Sequence, residues 1–219
     1  MAFLDFRSRL FLITPRTLPE DFSERFASAV AGGDIGCMLF DGDQSDERAF
    51  QDLAAPYVQT AQGANIAVLV SDDNRLADRL DADGVHLTDP KAMDADTQAK
   101  LADRGMIVGI GGINTRHLAL NTGEREPDYL FFGRTDREPT EETHPKTVTL
   151  ATWWAQMMKI PCVALAGTSD EAFTALAEAG VEFLAVREQI WNADDPGAEV
   201  ERLNTMLDAI AHKRAEAAA

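Results

Sequence analysis

The chain has 219 residues, a formal net charge of −17 and a pI near 4.5. That balance excludes a nucleic-acid surface and an anionic-membrane surface, both of which need clustered Lys and Arg. A hydrophobic content of 45% suffices for a sizeable core, whereas Phe3–Ile13 is broken by Asp5, Arg7, Ser8 and Arg9 and reads as neither membrane span nor signal peptide.

Apolar strand-like runs and amphipathic segments alternate from end to end. The strands are expected at Leu10–Thr14, Ile35–Phe40, Ile66–Val70, Gly84–Leu87, Met106–Ile110, Tyr129–Phe132, Cys162–Leu165 and Phe183–Val186. A helix is expected after each, at Pro19–Ala31, Asp46–Ala61, Asn74–Leu80, Asp94–Asp103, Thr115–Thr122, Leu150–Met158, Ser169–Ala179 and Pro196–Ala211. Such alternation predicts a parallel sheet, and eight strand–helix pairs favour closure into a single (β/α)8 TIM barrel over residues 1–219. Cys37 and Cys162 each lie in an apolar run, which reads as buried, reduced thiols of a cytoplasmic protein.

The unit from Ile160 to Val186 is the clearest. The run Cys162–Leu165 ends at Ala166-Gly167, and Thr168 or Ser169 caps a helix, with Glu171 as the capping-box partner of Thr168. Ala172, Leu176 and Ala179 share a face, Gly180 stops the helix and Phe183–Val186 is the next strand. Two apolar strands joined by one helix run parallel, and the loop after such a strand is where a barrel holds its ligand.

Candidate chemistry therefore sits in the loops that follow strands. The N–H groups of Gly167, Thr168 and Ser169 at a helix N-terminus suit a phosphate, with Arg187 after strand eight as the nearby cation; Asp170, Glu171 and Glu188 oppose it, and a purely structural cap explains the same residues. Gly109–Ile113 (GIGGI) is the most glycine-dense turn, and Gly111 and Gly112 permit close approach of a ligand or simply a tight turn into an Asn114-capped helix. Asp72, with Asp73, and Asp89 offer oxygen ligands for Mg2+, or are solvated loop carboxylates. His86, inside a strand, reads as an internally bonded side chain, and His144 as a ligand contact when the long charged loop Gly133–Thr147 closes. Of Trp153 and Trp154, one ring is expected inward and one at the surface.

The phrase Asp81-Ala82-Asp83-Gly84-Val85-His86-Leu87 resembles the ADGVHL segment of the thiamine phosphate synthase and TenI family. Gly32-Gly33, Val70-Ser71-Asp72-Asp73, Asp128-Tyr129 with Phe132-Gly133, and Ile160-Pro161 with Ala166-Gly167 fall into register with it, from about Leu10 to Pro196. The resemblance implies a (β/α)8 barrel and, for the synthase, joining of a pyrimidine diphosphate to a thiazole phosphate with Mg2+ and release of pyrophosphate. By that resemblance Asp72 is a metal ligand and Gly167 a phosphate contact, and Lys91 stands where the second metal carboxylate is expected, with Asp89 nearby to substitute. The family's Gln-x-Arg-x-Lys group after strand two reads here as Met38, Phe40 and Gly42, its serine after strand five is lost within Gly109–Gly112, a TenI-type histidine reads as Ile113, and its final Ser-Ala-Ile becomes Glu188-Gln189-Ile190. Thr140, Thr143 and Lys146 stand in the place of its Thr-x-Thr-Lys loop, at another spacing. The expectation is a divergent member that binds a small phosphorylated metabolite and, if active, is a thiamine-phosphate synthase-like transferase aided by Mg2+ on Asp72 but without standard synthase turnover, or else an inactive paralogue that binds a metabolite or partner; a homo-oligomer is compatible with either.

Overall fold

A computed structural model describes residues 7–42, 47–137 and 139–218. Eight parallel strands close a barrel in sequence order: β1 (Arg9–Ile13), β2 (Ile35–Phe40), β3 (Ala67–Ser71), β4 (Gly84–Leu87), β5 (Ile107–Ile110), β6 (Tyr129–Phe132), β7 (Cys162–Leu165) and β8 (Phe183–Val186). The helices are α1 (Phe22–Ala31), α2 (Glu47–Gly63), α3 (Asn74–Leu80), α4 (Ala95–Asp103), α5 (Arg116–Gly123), α6 (Pro145–Met157), α7 (Asp170–Glu178), α8 (Glu188–Trp191) and α9 (Pro196–Ala218). The predicted (β/α)8 fold is thus the observed one. Asp43–Asp46, in the predicted loop after strand two and at the predicted start of its helix, lie outside the described residues.

Strand parity divides the core in two. Alternate side chains point inward, so Phe11, Ile13, Cys37, Leu39, Leu69, Tyr129, Phe131, Val163 and Ala185 pack inside the barrel, with Phe11 reaching Tyr129 and Phe131 across it at 5.7 and 6.0 Å between ring centroids. Their neighbours Leu10, Leu12, Met38, Phe40, Val68, Val70, Leu130 and Phe132 pack outward against the helices. Both faces are apolar because both are buried, as parallel sheets require. Cys37 and Cys162 are buried free thiols, as expected.

The helix boundaries follow local chemistry. Asp73 caps α3, accepting from the N–H groups of Arg75 and Leu76 at 2.8 and 2.9 Å. The cap of α5 is Thr115, not Asn114: its hydroxyl accepts from the Leu118 N–H at 3.1 Å. Ser169 caps α7, and Gly180, at φ +89°, ends it as expected. The buried face of α7 is Phe173, Leu176 and Ala177, whereas Ala172 and Ala179 flank it half-buried. Helix α6 begins at Pro145, five residues before the predicted Leu150, because Pro145 occupies its first turn with no N–H to satisfy. The predicted long loop therefore ends at His144. The 3-10 turn Pro90–Ala92 and the one-turn α8 have too few residues to leave a periodic signature. Trp154 is buried as predicted, whereas Trp153, expected at the surface, is half-buried against the core beneath the Arg116 guanidinium, 4.9 Å from its ring centroid. Among the described residues no helix is long and apolar enough to cross a membrane.

Candidate functional site at the barrel mouth

The strands deliver their last inward side chains to one end of the barrel. By parity these positions are Asp41 after Cys37 and Leu39, Ser71 after Leu69, His86 after Gly84, Gly111 after Gly109, Gly133 after Phe131, Gly167 after Leu165, and Arg187 after Ala185. Glycine at three adjacent strand ends opens that side of the mouth. Two adjoining chambers fill it, sharing Ile113, Asn114, Gly133 and Arg134.

The inner chamber, about 480 Å3, is floored by His86 and Phe131 and walled by Asp41, Asp72, Gly111 and Gly112. His86 is 1% exposed, and its Nδ1 lies 2.9 Å from the Tyr129 hydroxyl, so its predicted internal bonding is what the structure shows. Burial lowers its pKa to about 4, keeping the imidazole neutral. Asp41 carries one oxygen bonded to Ser71 Oγ at 3.1 Å; the other is buried without a hydrogen bond, 3.9 Å from Arg187 Nη1. Burial raises the Asp41 pKa, with Ser71 and the nearby Arg16 and Arg187 pulling the other way.

The outer chamber, about 400 Å3, lies under the segment joining β6 to α6 and is lined by Arg134, Arg137, His144 and Lys146, with Glu142 as the opposing carboxylate. Arg134 forks onto Asp136, with Nε 2.8 Å from its carboxylate. His144 is exposed and caps α6, accepting from the Lys146 N–H through Nδ1 at 3.2 Å.

The segment is held from both sides. Arg187, 4% exposed, donates to the carbonyls of Thr135 (2.8 Å) and Arg137 (2.9 Å) and pairs with Glu188; Arg16 donates to the Thr135 carbonyl at 3.1 Å. On the other side the segment takes the donors of the β7–α7 turn. The N–H of Gly167 donates to Thr143 Oγ1 at 2.8 Å, that of Thr168 to the Thr140 carbonyl at 2.9 Å and that of Ser169 to the Glu141 carbonyl at 3.1 Å. A Cβ at Gly167 would collide with Glu141 and Thr143 backbone, so glycine is what lets the segment dock there.

The sequence-predicted residues are therefore distributed as follows. Gly167 and His144 meet in the outer chamber, and Asp72, Gly111 and Gly112 in the inner one. Thr168 and Ser169 lie half-buried beneath the docked segment. Arg187 lines a separate recess of about 610 Å3 with Arg16, Arg25 and Trp191. Lys91 and Asp89 are exposed on the 3-10 turn, where Asp89 accepts from the Lys91 N–H at 2.9 Å, and neither lines the two chambers. Both Asp72 oxygens accept from Thr88, from its N–H at 2.7 Å and its hydroxyl at 2.6 Å. Among the described residues no three His, Cys, Asp or Glu side chains converge on a metal position.

Parity also moves one sequence reading. Met38 and Phe40 face the helices, so the inward positions at the end of β2 are Cys37, Leu39 and Asp41. None is cationic, and the last is a carboxylate. Arg16, Asp41, Arg134 and Arg137 were not singled out in the sequence; the available signal was that they follow strands one, two and six, whose C-terminal loops form the mouth.

Residues 10–190 match the thiamine monophosphate synthase family model. The chain belongs to the thiamine monophosphate synthase family. It is 33% identical over 204 residues to the thiamine-phosphate synthase of Rhodospirillum centenum, covering 91% of this chain and 97% of that one. With the thiamine-phosphate synthase of Hyphomonas neptunium it shares 34% over 214 residues, covering 94% and 96%. A thiamine phosphate pyrophosphorylase from Pyrococcus furiosus superposes with a TM-score of 0.75 at 25% identity, covering 92% and 96%. Within this family fold, the mouth of the present chain combines a β2 end without cations and a β6–α6 segment that brings Arg134 and Arg137 to the outer chamber together with Glu142.

Proposed function

We propose that this barrel binds a small phosphorylated metabolite at its mouth, with the phosphate in the outer chamber, and that it does not turn over as a standard thiamine-phosphate synthase. The observation that carries the reading is the gathering of Arg134, Arg137 and Lys146, against the one lining carboxylate Glu142, around one cavity in a chain of net charge −17. Cations concentrated against such a background focus an anion into that cavity. The chamber is a better place for the phosphate than the N–H groups of Gly167, Thr168 and Ser169, because Thr140–Thr143 already occupies those donors. Family membership supports the phosphorylated class of ligand.

The end of β2 supports the second half of the reading. Where the family resemblance calls for inward cations on a leaving diphosphate, this chain presents Cys37, Leu39 and the half-paired carboxylate of Asp41. Each lost electrostatic partner of a transition-state charge costs about 10²–10³ in rate, and Asp41 adds repulsion. The donor set fits Mg2+ poorly: of the expected carboxylates Asp72 lines the inner chamber, not the outer one assigned to the phosphate, and both its oxygens already accept from Thr88, while Asp89 lines neither chamber.

The test is turnover of the pyrimidine diphosphate and thiazole phosphate beside the Rhodospirillum centenum protein. The expected rate is at least about 100-fold lower; a comparable rate overturns the reading. Absent turnover with retained phosphate binding would identify a paralogue that binds without catalysis.

A further inference from the structure

Helices α5 and α6 lie side by side on the outside of the barrel. The Arg116 guanidinium covers the Trp153 ring, and a Cβ on Gly123 would press against the Trp154 ring. One turn further along each helix stand Leu120 and Met157, 42% and 66% exposed. They are two of the three large apolar side chains that the described surface leaves in solvent; the third is Leu53, on α2.

The surroundings of this pair are unlike the rest of the molecule. Although the chain carries 37 Asp and Glu residues, none occurs from Arg116 to Gly123 or from Thr143 to Ser169. The exposed polar neighbours are the uncharged side chains of Asn121, Thr149 and Gln156. Two copies of charge −17 repel each other wherever their carboxylates face one another, and on this face they do not. An apolar patch free of like charge is where two such copies can meet.

The two ends of α5 identify the occupant. Arg116, Leu120 and Glu124 follow at four-residue spacing, so a cation, an apolar group and a carboxylate form one outward stripe. All three are exposed, and among the described residues neither charge is in an ion pair. Reversed, the stripe complements itself. About a twofold axis at Leu120, each Arg116 meets the partner's Glu124 and the two Leu120 side chains meet each other.

We propose that this face is a homodimer interface, in which a second copy lays its α5 antiparallel across α5 around Leu120, with Trp153 and Met157 completing the apolar contact. The interface lies on the flank of the barrel, clear of both mouth chambers, and stands independently of the phosphate reading.

Sedimentation equilibrium of the full chain at micromolar concentration is expected to give twice 23.9 kDa. Leu120→Glu, at a side chain the fold leaves exposed, is expected to give the monomer. Arg116→Glu and Glu124→Arg each set like charges opposite one another and should weaken the dimer at least about tenfold, whereas the two together should restore it to within about threefold. Because Cys37 and Cys162 are buried, Leu120→Cys is expected to link to its own copy under oxidised glutathione, and Leu53→Cys is not. A parent that sediments as the monomer overturns the proposal. So does a dimer that withstands Leu120→Glu, a paired reversal that fails to restore it, or equal linking of the two cysteine variants.

Discussion

Gly109→Ala is expected to destabilise the protein by about 3 kcal/mol, the upper range for forcing atoms into a filled core. The new methyl would fall inside the Tyr129 ring, which is hemmed in by Phe11 and His86 within the barrel. Neither β5 nor β6 has freedom to retreat, since each is paired on both sides in the closed sheet. For a chain of this size the thermal midpoint should drop by roughly 6–12 °C. The damage should also be specific: displacing Tyr129 breaks its 2.9 Å hydrogen bond with His86 Nδ1. A midpoint within a degree of the parent would mean that the ring has another place to go, and the packing account of the barrel interior would be wrong.

Arg187→Met is expected to cost a similar amount, about 3–5 kcal/mol, the penalty for removing one side of a buried ion pair. Methionine replaces most of the aliphatic volume, so the loss isolates the guanidinium. Glu188, already with one oxygen lacking a hydrogen bond, loses its partner, and Asp41 loses the cation 3.9 Å away. The carbonyls of Thr135 and Arg137 lose their donors, which should release that end of the β6–α6 segment to faster amide exchange. The pH dependence gives a sign. Burial already raises the folded-state pKa of Asp41, and removing the cation raises it further. A carboxyl with a raised folded pKa binds more protons folded than unfolded, so stability falls as pH rises through that range. The deficit of Arg187→Met relative to the parent should therefore be largest at pH 8 and shrink as the pH is lowered. Chemical denaturation at several pH values measures this; a deficit independent of pH would remove Asp41 from the explanation.

The strands were legible because each is a short apolar run bounded by polar or glycine residues, and all eight fall within about a residue of their predicted limits. Their inner and outer faces were not. In β2 the sequence Cys37-Met38-Leu39-Phe40 is apolar at every position, so alternation carries no hydropathy signal, and only closure of the barrel decides that Cys37 and Leu39 point in. That one-residue ambiguity placed the missing cations at Met38, Phe40 and Gly42 and hid Asp41. The site was legible where a residue acts alone, as with the internally bonded His86 or the position of Gly167 on the rim. It was illegible where distant loops cooperate. Nothing in Thr140 to Thr143 announces that its carbonyls and hydroxyl would take the three N–H groups of the β7–α7 turn. Arg16 and Arg187 reach the same Thr135 carbonyl from opposite ends of the sequence, a convergence that only the closed barrel creates.

The central claim, that the cations of the β6–α6 segment hold a phosphate, meets its most direct test in calorimetric titration of pyrimidinylmethyl phosphate into the parent and into Arg137→Ala/Lys146→Ala. Both side chains are exposed and the fold does not lean on them. A charge-assisted contact contributes about 1.5–3 kcal/mol, so the double variant should bind at least about tenfold more weakly, with a shallower dependence on salt. Equal affinity and equal salt dependence in the two proteins would contradict the account and place the phosphate elsewhere in the mouth.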